Sequence, residues 1–306
     1  MVSVMRGRGR RSTTAPHARK ATVAHGAVLP RLLFLFIAAL VLRQTRLLSG
    51  PLLSNSVPVT TPERREAVRD AMRHAWLGYK TYAFGDDELM PLSRKGDNSL
   101  CHGLGATIVD SLDTLFLMNM TAEFREAKAW CAANLRERFD ASFENPSTHV
   151  SVFETTIRML GGLLSAHYLS EQGEEGGGKQ FLDLARELGK RLLPAITSPS
   201  SAMPFPKINL ATGAYSSNDW FGTLSDARYL AEVGSIQLEF SALSRETGDP
   251  TFHKSGLAVL ERLHARWPDA GLLPLNLRGD AGPGPPPIAF GVGALGDSYV
   301  SDCVRA

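Results

Sequence analysis

Three cysteines in 306 residues are too few for a disulfide framework. Cys101, Cys131 and Cys303 allow one bridge and a free thiol, or three free thiols, and Cys131 falls among apolar residues on an expected helix. Long apolar runs are scarce too. The best, LLFLFIAALVL at residues 32–42, is eleven residues long, short of the roughly 20 that span a bilayer. No stretch alternates with period two for long enough to nominate a core strand, and no internal repeat shows. There is no HExxH, no GxSxG, no phosphate-binding loop and no Cys/His cluster at zinc spacing, so the commonest metalloprotease, serine hydrolase and nucleotide-hydrolysing signatures are excluded. GVGALG at residues 291–296 fits G-x-G-x-x-G. With no strand expected before it and no room for a crossover after it, the match is a chance one.

Acid is missing from one end. The first 62 residues carry nine Arg and Lys and no Asp or Glu, which leaves 24 basic against 31 acidic residues in the remainder, a net of −7. An acidic folded part argues against a nucleic-acid surface. The basic start with its short apolar run reads as residues 1–43 holding a signal anchor or a signal peptide, and an organellar transit peptide is the competing reading. Residues 44–60, with Pro51, Pro58 and several serines, form a linker. The folded part is then expected over 61–306. One sequon, Asn119-Met120-Thr121, borders a helix.

What is present from Thr61 onward is helix. Thr61, Pro62 and Glu63 make a helix start. Further helices are expected at about 106–119, 122–138, 151–171, 177–193, 225–246, 251–266 and from about 292, with the irregular 271–293 stretch able to hide short strands. The fold class is all-α. The helix at 106–118 is apolar nearly all round, which implies burial on more than one side, as in a layered helical barrel.

The chemical signal is carboxylate in apolar company. The run VSVFETTIRMLGG, residues 150–162, looks built for burial yet carries Glu154 and Arg158 one turn apart. Asp110 and Asp113 share a face of a second helix, Glu232 and Glu239 of a third, and Asp297 follows a glycine-rich turn. Each has an ordinary reading: an i,i+4 ion pair for Glu154, a cap or ion pair for Asp113, a salt bridge with Arg245 or another cation for Glu239. Uncompensated burial of charge is costly, so each should be paired or line a wet cavity. Carboxylates converging from several helices are what glycoside hydrolysis uses, one as acid and one to activate water.

DSLDTLFLMNMTAEFREAKAW, VSVFETTIRMLGGLLSAHYLS, LAEVGSIQLEFSALSRETGD and GVGALGDSY, in this order over about residues 63–300, together resemble the class I α-1,2-mannosidases of glycoside hydrolase family 47. The resemblance implies an (α/α)7 barrel of helical hairpins. It implies a luminal enzyme of the endoplasmic reticulum or Golgi, held to the membrane through its N-terminal segment, that trims high-mannose N-glycans with calcium and with inversion. Glu154 resembles the family's proton donor and Asp297 a second catalytic carboxylate. Asp113, Arg158 and Glu232 resemble residues lining the sugar pocket. Leu295 stands where endoplasmic-reticulum types resemble one another in having Arg, which leans toward the Golgi-type branch. After GDSY the family continues with a Tyr-Glu-Tyr-Leu-like helix where this chain reads Val300-Ser301-Asp302-Cys303. A further catalytic Glu, the calcium-contacting Thr and a cysteine pair are not found. The expectations are therefore a partial barrel with its second half missing, no metal ligand in this chain, and little or no activity from it alone. The alternative is a non-catalytic, lectin-like protein that binds mannose glycans in glycoprotein quality control.

Overall fold

Helix breaks and starts follow local chemistry most visibly at the junction of two helices near residue 249. Gly248 takes the left-handed backbone conformation (φ 70°) that ends one helix. Asp249 then accepts the Thr251 N–H at 2.9 Å and Pro250 opens the next. The computed structural model that shows this describes residues 61–141, 148–172, 177–217, 226–267, 272–280, 282 and 289–305. The leader at 1–43, the linker at 44–60 and the side chain of Cys303 lie outside the described residues.

The architecture is predominantly helical. In chain order come α1 (Thr61–Tyr82), β1 (Glu88–Met90), β2 (Lys95–Asp97), α2 (Ala106–Leu117), α3 (Thr121–Asp140) and β3 (Val150–Ser151). A continuous helical stretch comes next, made of α4 (Val152–Glu154), a π-helical segment (Thr155–Leu160) and α5 (Gly161–Gln172). The rest is α6 (Lys179–Ile196), β4 (Lys207–Ile208), β5 (Tyr215–Ser216), β6 (Ala227–Tyr229), α7 (Leu230–Gly234), α8 (Gln237–Thr247), α9 (Pro250–Arg266), β7 (Asn276–Arg278) and α10 (Asp297–Arg305). Among the described residues the strands pair as three small antiparallel sheets, β1-β2, β3-β4-β5 and β6-β7. No helix of the described residues is long and apolar enough to cross a membrane.

Residues 65–306 group as one compact unit, and helices neighbouring in sequence pack on one another. Helix α2 lies against both α3 and α5, α5 against α6, α6 against α8 and α9, and α8 against α9. Burial on several sides, expected for the 106–118 helix, is realised: Ile108, Val109, Leu112 and Leu115 are all fully buried. Cys131 is core as expected, and Cys101 is buried as well; both are free thiols. Burial pushes the Cys131 thiol up to about 12 and the Cys101 thiol higher still, so neither is poised as a nucleophile.

Helix α5 approaches α2 closely because Gly162 has no side chain. A Cβ there would sit 2.8 Å from the backbone oxygen of Val109, whereas one on Gly161 would meet Glu239 Oε1 at an ordinary 3.6 Å. Backbone cannot yield as a side-chain tip can. Gly162→Ala is therefore expected to destabilise by about 1–3 kcal/mol, while Gly161→Ala is expected to be close to neutral. Urea denaturation of the two variants side by side measures the difference.

The expected helix at 225–246 is corrected by the structure. Residues 227–229 are instead strand β6, pairing Ala227 with Arg278, Arg228 with Leu277 and Tyr229 with Asn276. Helix α7 then ends at Gly234, and α8 starts anew at Gln237. Tertiary pairing overrides local propensity here. The anchor is Arg228, whose side chain is fully buried. Its Nε donates to Pro204 O at 2.7 Å and its Nη1 to Ala227 O at 3.1 Å. Its Nη2 lies 3.4 Å from Asp226 Oδ1, and its plane lies over the Phe205 ring. Burial lowers its pKa against the pull of Asp226.

Candidate active site

Three of the acids singled out from sequence line one cleft of about 310 Å³. Each stands where a strand or turn runs into a helix. Strand β3 delivers Ser151 and, three residues on, Glu154; Ser151 Oγ accepts the Glu154 N–H at 3.2 Å, which caps the helix. Strand β6 delivers Tyr229 and Glu232, with Glu232 Oε2 accepting the Tyr229 N–H at 3.4 Å. The third acid, Asp297, is the first residue of α10.

The third wall is pinned to the second. Leu295 adopts φ 72°, rare for a residue with a branched side chain, and its carbonyl accepts the Ala231 N–H at 2.8 Å. Helix α10 packs on α7, and Gly234 leaves room for the Tyr299 ring, which a Cβ would meet at 2.3 Å. Asp297 is held at the head of α10 by its own N–H on Gly293 O at 2.8 Å. The glycines of GVGALG thus shape a turn below an acid, in line with rejecting them as a dinucleotide fingerprint.

Arg158 lies outside the lining but grips it. Its Nε donates to Glu154 Oε2 at 2.6 Å and its Nη1 to Asp110 Oδ2 at 3.0 Å. Burial opposes the Arg158 charge, but these two carboxylates overcome it and push its pKa up. Desolvation raises the Asp110 pKa in spite of the pull of Arg158. An i,i+4 ion pair does exist, then, but it extends to a second helix. Glu154 Oε1 makes no hydrogen bond among the described residues, which leaves that oxygen as the one able to serve the cleft.

One acid is placed differently from the sequence expectation. Asp113 does not line the cleft; its Oδ2 accepts the Ser165 hydroxyl at 2.9 Å and its Oδ1 the Thr114 hydroxyl at 3.2 Å, tying α2 to α5. Its neighbour Asp110 is the α2 carboxylate that reaches the Glu154–Arg158 pair. Both face the same side by spacing, and only the position of Arg158 chooses between them. Arg245, one of the cations expected near Glu239, donates to Glu246 and to the Tyr168 hydroxyl. The cleft also holds Phe153 and Tyr229, neither of which carried a sequence signal beyond its type.

The profile of glycosyl hydrolase family 47 matches residues 71–301. The chain belongs to glycosyl hydrolase family 47. Over 238 residues it is 42% identical to mannosyl-oligosaccharide 1,2-alpha-mannosidase MNS1 of Arabidopsis thaliana, covering 78% of this chain and 39% of that protein. Over 243 residues it is 40% identical to the endoplasmic reticulum mannosyl-oligosaccharide 1,2-alpha-mannosidase of Rattus norvegicus, covering 79% of this chain and 34% of that protein. Among solved structures it is similar to the alpha-1,2-mannosidase from Trichoderma reesei, with a TM-score of 0.66 at 28% identity over 80% of this chain and 50% of that one. This family 47 chain thus spans no more than about two fifths of the length of those two curated relatives.

Proposed function

We propose that these residues form the acid-bearing part of an inverting α-1,2-mannosidase that trims high-mannose N-glycans in the lumen of the endoplasmic reticulum or Golgi. The carrying observation is the single cleft lined by Glu154, Glu232 and Asp297. The relatives support the substrate class, since the Arabidopsis and rat proteins are both named mannosyl-oligosaccharide 1,2-alpha-mannosidases. No observation favours the lectin-like alternative.

Glu154 delivers a proton to the departing glycosidic oxygen, directly or through one water, as the C1–O bond breaks. Asp297 takes a proton from the water that attacks C1 from the opposite face, so the anomeric configuration inverts. An inverting pair keeps its carboxyl groups roughly 6.5–9.5 Å apart to admit that water. Arg158 fixes the rotamer of Glu154 through Oε2, and Asp110 fixes Arg158. Glu232 and the faces of Phe153 and Tyr229 hold the sugar.

Calcium is the family's expected cofactor, where it would orient sugar hydroxyls. Among the described residues no group of three or more His, Cys, Asp or Glu could hold a metal ion. No step above passes through it. The helical hairpins α2–α3, α5–α6 and α8–α9 are proposed as part of an (α/α)7 barrel, in keeping with the Trichoderma likeness over half of that chain.

The test is a chimera in which residues 71–301 replace the matching stretch of the Arabidopsis relative. It is expected to release mannose from a high-mannose glycan, with β-mannose as the first anomer seen by proton NMR. The 306-residue chain alone is expected to turn over little or not at all. First-formed α-mannose from the chimera would overturn the inverting assignment, and no mannose at all would overturn the reading as an enzyme.

A further inference from the structure

Neither the core nor the cleft uses the sequon Asn119-Met120-Thr121 at the corner between α2 and α3. Asn119 ends α2 in the left-handed conformation (φ 56°), its N–H on Phe116 O at 3.0 Å, and the Met120 N–H reaches back to Leu115 O at 2.9 Å. That geometry accounts for an Asn at position 119, since Asn and Gly tolerate the left-handed region best. It leaves Thr121 unexplained. A threonine serving α3 as a cap would stand at position 120, where Met120 is the N-cap and no side-chain cap bond is made. Thr121 lies one residue too late, and its hydroxyl instead approaches Asn119 Oδ1 at 3.4 Å.

The corner is also open. Asn119 is exposed, and the nearby Leu117 is 71% exposed among the described residues. The last residue of α2, Leu117, stands seven residues beyond Asp110, the residue that joins the Arg158–Glu154 pair, or about 10 Å at 1.5 Å per residue, and Asn119 follows it. Asn119 thus lies beyond the end of α2 away from Asp110 and is not among the residues that line the cleft.

We propose that Asn119 is a site of N-glycosylation, an inference that rests on the luminal reading above. The donor is a lipid-diphosphate-linked oligosaccharide. The bond formed joins Asn119 Nδ2 to sugar C1; the bond broken is C1 to the phosphate oxygen. One Nδ2 proton leaves with the transferase base, and the lipid diphosphate departs with the electron pair. The attached sugar covers the exposed Leu117, and the Thr121 hydroxyl supplies the sequon's second element.

The full chain is expressed in a eukaryotic secretory host and digested with a peptide:N-glycosidase. The expected result is a downward shift of one glycan, with Asn119 recovered as Asp by peptide mass spectrometry. Asn119→Gln and Thr121→Ala are expected to abolish the shift, while Thr121→Ser keeps it, which separates lost glycosylation from a damaged corner. A control carries Ser93→Asn with Lys95→Thr, a second sequon in the exposed turn between β1 and β2. Modification of the control sequon but not of Asn119 overturns the proposal while the luminal reading stands. Modification of neither overturns both.

Discussion

Glu154→Gln in the chimera should cut mannose release by about 10²–10⁴-fold, the span general acid catalysis contributes, while glycan binding stays close to wild type. Glutamine is nearly isosteric and keeps an oxygen for the Arg158 Nε, now 2.6 Å from Glu154 Oε2. Arg158 also keeps Asp110 at 3.0 Å, so the guanidinium retains a counter-charge when Glu154 is neutralised. What glutamine cannot do is give up a proton to a leaving oxygen. A variant within a few fold of wild type would place the acid elsewhere. Loss of binding together with turnover would mean that Glu154 holds substrate and does not protonate it. Isothermal titration with a high-mannose oligosaccharide beside the rate assay separates the two.

Asp87→Ala should lower the melting midpoint by about 8–16 °C, the shift that roughly 4 kcal/mol produces in a domain of this size. Asp87 is fully buried and is the hub of the loop before α2. Its Oδ2 accepts the N–H groups of Cys101 at 2.7 Å and Gly103 at 2.9 Å, and its Oδ1 those of Gly105 at 2.9 Å and Ala106 at 3.2 Å. Removing the carboxylate strands up to four donors, each costing about 1–3 kcal/mol where water cannot reach. Against a typical total of about 5–15 kcal/mol this is a large fraction. The same loop sets the start of α2, so the position of Asp110 behind Arg158 should loosen as well. A midpoint within two or three degrees of wild type, read by circular dichroism, would show that water replaces the carboxylate.

Helices with strong apolar periodicity were legible in the sequence, and so were the acids that line the cleft. Residues 106–118, 122–138 and 251–266 carry a pattern of period 3.6 that their packing on two or three neighbours preserves. Asp87 was not legible, because it sits in a loop, FGDDELM, where no period marks which of two adjacent aspartates turns inward. Arg228 was misplaced onto a helix because its stretch has helix-forming residues, and what makes it strand is a partner about fifty residues away, Leu277. Asp110 and Asp113 share a helix face, so spacing could not tell which would meet Arg158 from another helix. Non-local contacts decided each of these, and local pattern does not contain them.

The π-helical segment at Thr155–Leu160 amounts to one residue inserted into an α-helix, worth about 100° of rotation between the helical turns on its two sides. Glu154 lies before it, facing the cleft, and Gly162 after it, seated on Val109. Deleting a single residue from that segment would leave a more regular helix with much the same composition. It would also put the acid and the glycine out of phase, so that one could reach its place only by taking the other from its own. The segment therefore keeps a count, and its length is constrained more tightly than its side chains.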